Sequence, residues 1–332
     1  MTQLLTYPDI DPQQWQALID RSPYATWFQT KEAYEFYAAN PEEMTPFAVG
    51  IEEDGHIKGV IVGYTTQEKN PIKQLLTCRS IIIGGPLLDE HISSNALTAL
   101  LVAVKQVTKK AIYVETRNFN DYSKWREFFE QCSFQYQPHL NFHVDTSSPE
   151  VVDQNLGKSR KRDIRTTIRD GVTSVYQPTI EQVRAYYDIL LDLYKTKVKT
   201  PLFRWEWFEQ LYRCHDARFI LTELEGKIVG GTVCMELKGK ALYEWFACGI
   251  DGVYPHIYPS TYATYLGIKY AAENGCKIFD MMGAGKPEEA YGVRDFKAKF
   301  GGELVEHGRF LCVRKPLLYW IGKIGVKLLK RK

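Results

Sequence analysis

Residues 279–303 gather groups able to bind an anion and to stabilise developing charge: Asp280, Gly283, Gly285, Tyr291, Arg294, Phe296, Lys297, Lys299 and the Gly301-Gly302 pair. The stretch begins at the end of an apolar run, enters a glycine-rich loop and then sets cations beside aromatic rings. Glycines such as Gly283 and Gly285 let backbone approach a ligand closely, and successive N–H groups can cradle an anion. The spacing of a phosphate loop, G-x-x-x-x-G-K-[ST], is absent, so Gly283-Ala284-Gly285-Lys286 fits a plain strand-to-helix turn equally well. Arg294 suits a phosphate or a carboxylate. Asp280, at a strand's end, fits either an amine-orienting base or a carboxylate that caps the next loop. A second cationic run, from Lys158 to Asp170, carries Arg160, Lys161, Arg162 and Arg165 in a helical pattern. An ordinary solvated face would account for it, but its density favours an anionic partner or surface.

Other chemistries find little support. Cys248 and Cys276 lie in apolar strand contexts and read as buried fillers, so no covalent nucleophile is evident. His139, His143 and His307 fall in strand patterns as structural imidazoles, and no metal site is expected. The seven scattered cysteines contain no C-x-x-C pair and read as free thiols of a reducing cytoplasm. No run of 18 apolar residues occurs, and Asp9, Asp11 and Asp20 interrupt the stretch where a signal peptide would be unbroken.

The elements that must position these groups follow from the 332-residue length, 45% apolar and 13% aromatic content, which describe a globular chain of two domains. Short helical patterns at Gln13–Asp20 and Lys31–Ala39 precede a hairpin of Phe47–Glu52 and Ile57–Tyr64. Leu75–Ile83 reads as a strand, followed by a helix capped at Ser93 or Ser94, a strand at Ala111–Glu115 and a helix at Asp121–Gln131. The second half repeats the order, with strands at Phe219–Glu223, Ile228–Met235 and Lys240–Cys248, a helix at Thr261–Glu273 and a strand at Lys277–Met281. Gly55-His-Ile57-Lys-Gly59 matches Gly226-Lys-Ile228-Val-Gly230, and other landmarks recur at nearly the same offset, which argues for a duplicated fold. The order resembles the acetyltransferase-like (GNAT) fold, a mixed α/β sheet splayed where two neighbouring strands part. The expected layout is two tandem GNAT-like domains, at residues 1–148 and 149–315. The second would begin with one basic helix over Val151–Asp170.

The run Asp280…Gly283…Gly285…Tyr291-Gly292…Phe296-Lys297…Phe300-Gly301-Gly302…Gly308-Arg309 resembles the C-terminal signature of the FemABX family. Arg160-Lys161-Arg162-Asp163-Ile164-Arg165 with Gly171-Val172 is similar to its R-x-x-I-R-x-x-x-x-G-V element, and Tyr258-Pro259-Ser260 to its tyrosine-proline helix. Only Glu181–Cys214 lies where some members insert a helical arm, so the compact FemX-like form is the better match. The resemblance implies an aminoacyltransferase that forms an amide between an activated amino acid and an amine of a nucleotide- or lipid-linked peptidoglycan precursor. Aminoacyl-tRNA would be the donor co-substrate, with no tightly bound cofactor. Lys297 matches the family lysine near the transferred group and is assigned to stabilise an oxyanion, with Lys299 the alternative lysine and Asp280 the candidate amine-orienting base. Phe296, Arg294, Tyr291, Lys299, Gly283, Gly285 and Tyr258 would bind substrate, and Arg160, Lys161, Arg162 and Arg165 the tRNA or another anion.

Two alternatives remain. One is an acyltransferase using a coenzyme A thioester on a sugar or lipid-linked amine. Its motif [QR]-x-x-G-x-[GA] is only approximated, at Gln154–Ser159, outside the expected position. The other is a non-catalytic protein that binds an anionic surface. Residues 316–332 bear on both: Leu317, Ile321, Ile324 and Leu328 recur at helical spacing, and from Arg314 onward there are cations and no acid. That pattern fits either a peripheral helix on the inner face of a membrane or a helix docked on its own domain.

Overall fold

The computed structural model describes residues 2–329, with side chains through Gly325; the tail cations Lys330, Arg331 and Lys332 counted above lie outside the described residues. The chain forms two compact units, Met1–His139 with Glu306–Lys332, and Leu140–Val305. These boundaries differ from the expected breaks at residues 148 and 315. The strand Leu140–Asp145 belongs to the second sheet, and Arg309–Val313 to the first.

The first unit's sheet runs in the order Thr2–Thr6, Met44–Glu53, His56–Thr66, Arg79–Gly84, Tyr113–Asn118, Arg309–Val313, Gln135–Gln137. The second follows the same plan: Thr173–Val175, Ala217–Leu224, Lys227–Leu237, Ala241–Gly249, Ile278–Asp280, Leu140–Asp145, Glu303–Glu306. In each, the sixth strand comes from the other half of the sequence. The duplication is therefore real in topology, and the two copies have exchanged one strand each. Both sheets are mixed, and each is backed by a helix that buries an apolar stripe, Ser94–Val107 in the first unit and Pro259–Glu273 in the second.

The hairpins behave as their turn residues dictate. Asp54-Gly55 and Glu225-Gly226 both take the left-handed conformation that a two-residue turn between twisted strands requires. The expected strand Leu75–Ile83 splits instead. Pro71–Thr77 is a helix, because Asn70 caps it by accepting from the N–H groups of Ile72 and Lys73 (both 3.0 Å) and Pro71 supplies a preset first residue. The strand begins only at Arg79. The expected basic helix Val151–Asp170 is likewise two helices, Pro149–Asn155 and Lys158–Arg169. Gly157 sits at the break, where an added Cβ would lie 2.7 Å from the Lys299 carbonyl oxygen.

The two sheets differ at their central parallel pair. In the first, the central parallel pair stays in register from Arg79 opposite Tyr113 to Gly84 opposite Asn118. In the second, the equivalent pair holds only for Ala241, Leu242 and Tyr243 opposite Ile278, Phe279 and Asp280. Beyond Tyr243 that edge of the Ala241–Gly249 strand has no paired strand among the described residues. Its other edge is bulged, since Val233 faces Phe246 while Cys234 faces Glu244, with Trp245 the extra residue between them. The parting of the strands is thus confined to the second unit.

Candidate active site

The chain leaves the short strand Ile278–Asp280 through a left-handed pair, Met282 and Gly283, which turns it into the loop that ends at the helix Gly292–Ala298. Asp280 holds this turn. Its Oδ1 accepts from the Met282 N–H and from Asn141 Nδ2, both at 2.7 Å, and its Oδ2 lies 3.1 Å from His143 Nε2. Asn141 also accepts from the Gly283 N–H at 2.9 Å. Asn141 and His143 stand on the exchanged strand, which pairs His143 directly with Asp280. Burial alone would depress the His143 imidazole, but the carboxylate outweighs it and its pKa is raised. With both oxygens engaged and almost no exposure, Asp280 has the geometry of the capping carboxylate, one of the two readings its sequence position allows.

Lys297, on the Gly292–Ala298 helix, reaches back beneath the same turn. Its ammonium donates to the carbonyls of Met281 and Gly283, the latter at 2.8 Å, and lies 3.4 Å from that of Met282. An ammonium has three protons, so this cage accounts for all of them. Burial pushes the Lys297 pKa below the ordinary lysine value, against the opposing pull of Glu244 and then Asp280.

Glu244 was missed by sequence reasoning. It lies on the inner strand where the sheet parts, only 6% exposed, and accepts from Thr264 Oγ1 at 2.8 Å and Thr232 Oγ1 at 3.2 Å. Burial raises its pKa, with Lys297 the largest opposing influence. A lone acid among Leu242, Phe246 and Cys248 on an otherwise apolar strand is the signal that could have found it. Glu244 and Asp280 thus both favour the charged form of the Lys297 ammonium and oppose the effect of its burial.

The other assigned residues divide. Arg294 donates to the carbonyls of Ala284 (2.8 Å) and Lys286, so it ties down the loop with the groups that would otherwise grip an anion. Tyr291 is exposed, and an added Cβ on Gly285 would lie 2.9 Å from its ring. Phe296 is half-buried and Lys299 exposed, and the Tyr258 N–H donates to Thr167 Oγ1 at 3.0 Å.

Of the basic helix, Arg160 faces inward. It is buried, donates to Thr261 Oγ1 (3.1 Å) and the Phe296 carbonyl (3.2 Å), and stacks over Phe296 and Phe300 at 4.4 and 4.9 Å. It is committed to fixing the helix that bears Lys297 and presents no surface to tRNA, which corrects its assignment as an anion-binding group. Lys161 and Arg162 pair with Asp153 (3.2 Å) and Asp163 (3.0 Å), while Arg165 is exposed with no ion-pair partner among the described residues. A cavity of about 650 Å³ lies at the opposite end of the short strand, against Cys276, Lys277 and Gly301. It touches His143 but not Lys297 or Glu244. Among the described residues, no cluster of three or more His, Cys, Asp or Glu could hold a metal ion.

Residues 158–297 match the acetyltransferase (GNAT) domain family. Fold and match together define an acyltransferase with a tandem, FemX-like GNAT fold. The crystal structure of FemX covers 96% of this chain and 100% of its own at a TM-score of 0.73, with 17% identity. A tandem GNAT protein from the clavulanic acid biosynthesis pathway covers 94% and 98% at a TM-score of 0.58, with 10% identity. The C-terminal domain of a putative lysylphosphatidylglycerol synthetase from Agrobacterium fabrum covers 91% of each chain at a TM-score of 0.57, with 13% identity. No curated protein matches the chain in sequence.

Proposed function

We propose that this protein transfers an aminoacyl group from aminoacyl-tRNA to an amine of a peptidoglycan precursor, at the parting of strands in the second unit. The observation that carries the reading is the buried Lys297 ammonium, set among backbone carbonyls and flanked by Glu244 and Asp280 at the end of the splayed strand. The resemblance to FemABX signatures and the FemX-like fold support it.

The chemistry makes modest demands. The acceptor nitrogen attacks the ester carbonyl, the C–N bond forms, and the tetrahedral oxyanion collapses by expelling the ribose oxygen. The proton lost by nitrogen balances the one taken up by the leaving oxygen, so no net base is needed. Alignment and charge stabilisation are what the protein supplies. Lys297 serves as the oxyanion donor by exchanging its longest bond, to the Met282 carbonyl, for the substrate oxygen. Asp280 acts through the turn it anchors, and Arg165 with its neighbours receives donor phosphates.

The GNAT family match favours a second reading, a coenzyme A thioester as donor. Incubation with cell-wall precursors plus either charged tRNA or acyl-CoA, with acceptor mass as the readout, separates the two. A mass increment with charged tRNA is expected. An increment with acyl-CoA only would overturn the tRNA donor, and none with either would leave the binding-protein alternative.

A further inference from the structure

One pole of the first unit collects three segments that the sequence keeps far apart. The helix Pro71–Thr77 precedes the strand Arg79–Gly84, Lys109 and Lys110 precede Tyr113–Asn118, and the helix Pro316–Leu329 follows Arg309–Val313. Those strands are neighbours, with Arg79 and Val313 both opposite Tyr113, so the segments must emerge side by side. The two helices touch. The second is rooted at its base, where the Arg314 and Lys315 N–H groups donate to the Ile112 carbonyl and Tyr319 packs edge-on against Tyr113 at 5.3 Å.

Past that root, both helices turn apolar side chains outward. Ile72 is 71% exposed, Leu75 55%, Leu317 70% and Trp320 62%. The Pro71–Thr77 helix buries none of its residues. Single exposed apolar residues are ordinary, but two adjoining helices with outward apolar faces form a patch that water penalises. Exposed cations border it, namely Lys69, Lys73, Lys109, Lys110 and Lys323. Lys69 and Lys73 pair with Glu42 and Glu68, and beyond the described residues the sequence adds Lys330, Arg331 and Lys332. Apolar side chains with a cationic border, on helices lying at a surface, match the interface of an anionic bilayer: the rings and leucines enter the acyl boundary while the lysines meet headgroups. No described helix is long and apolar enough to cross a membrane, so the contact would be peripheral.

We infer that the Pro71–Thr77 and Pro316–Leu329 helices form one composite docking face for an anionic lipid bilayer. The first helix is as much a part of it as the C-terminal one. The inference is independent of the transfer reaction, because vesicle binding is read without donor or acceptor.

The test is flotation of the full chain with phosphatidylcholine vesicles, with and without phosphatidylglycerol. Binding is expected only with phosphatidylglycerol, and it should fall as salt is raised. Leu75→Glu/Leu76→Glu should weaken it tenfold or more with the thermal transition unchanged, since burying leucine in the acyl boundary is the driving contribution. Ile72→Glu, at the most exposed of the helix's large apolar side chains, gives an independent reading should the double variant misfold. Equal binding to neutral vesicles, or full binding by these variants, would overturn the composite face. So would a wild-type dimer in light scattering that these substitutions dissolve, because a second copy would then be the occupant.

Discussion

Replacing Lys297 by methionine takes the one cation out of a buried set that also holds Glu244 and Asp280. The carbonyls of Met281, Met282 and Gly283 lose their donor at the same time. Glu244 and Asp280 act on the ammonium through the electrostatic field and not as contact ion pairs, so the three carbonyls set the magnitude. Each orphaned carbonyl costs about 1–3 kcal/mol where water cannot reach it, about 3–9 kcal/mol for the three. Lys297 is 8% exposed, so some water can enter and the lower end of the combined range applies. The expected loss is therefore about 3–5 kcal/mol, a drop of roughly 10 °C for a unit of this size. Glu244→Gln alone should also destabilise, since it removes the carboxylate that most favours the Lys297 ammonium. The double variant should recover part of the loss, with a coupling of about 0.5–3 kcal/mol. Thermal and urea denaturation of the four proteins close the cycle, and turnover measured on each separates structure from chemistry. Part of the stability should return in the double variant while transfer does not. Losses that simply add would refute the charge-compensation argument, and full transfer by folded Lys297→Met would remove the lysine from the mechanism.

Arg160→Ala should destabilise by about 2–4 kcal/mol through lost stacking on Phe296 and Phe300 and the orphaned Phe296 carbonyl, as read by thermal denaturation. Arg165→Ala should leave stability unchanged and lower the salt slope of tRNA binding by about one, measured by filter binding across ionic strength. Gly301→Ala should cost about 1–3 kcal/mol, because Gly301 has φ +80° and its added Cβ would collide with the Asn155 carbonyl. The exchanged strand of the first unit offers a pH test. Burial would raise the Glu115 carboxyl, but Arg117 and Arg309 pull it down to about 2. A depressed carboxylate stabilises the native state above its unfolded pKa and loses that contribution as pH falls through the folded value. Wild type should thus lose stability relative to Glu115→Gln between about pH 5 and pH 2, followed by urea titration.

Much of this architecture was legible in the chain. Asp54-Gly55 and Glu225-Gly226 announce hairpins because few residue pairs tolerate two left-handed conformations in succession, and the stripe of Leu97, Leu100, Leu101 and Val104 announces its helix by period alone. The resemblance of the Phe296-Lys297 and Gly301-Gly302 run to a family signature singled out Lys297, which the structure buries. These are local properties, set by backbone sterics and by side-chain spacing within one element. Where local signals competed, the reading failed. Asn70-Pro71 capped a helix out of residues whose composition looked extended, and Gly157 cut the basic helix where the Lys299 backbone needed room.

The tertiary structure decided the rest. Strand pairing is a choice among edges with the same hydrogen-bonding groups, so nothing in Leu140–Asp145 or Arg309–Val313 says which sheet it completes, and each completes the one built from the other half. That exchange brings Asn141 and His143 to Asp280 across 137 or more residues of chain. Burial is likewise a property of the whole fold. It turned Arg160 from a surface cation into a buried prop, and drew Glu244 from an unremarked strand into the charge set around Lys297. The sequence by itself determined which residues could do the chemistry. Which of them lie inward, and beside what, depended on contacts between elements that no local pattern encodes.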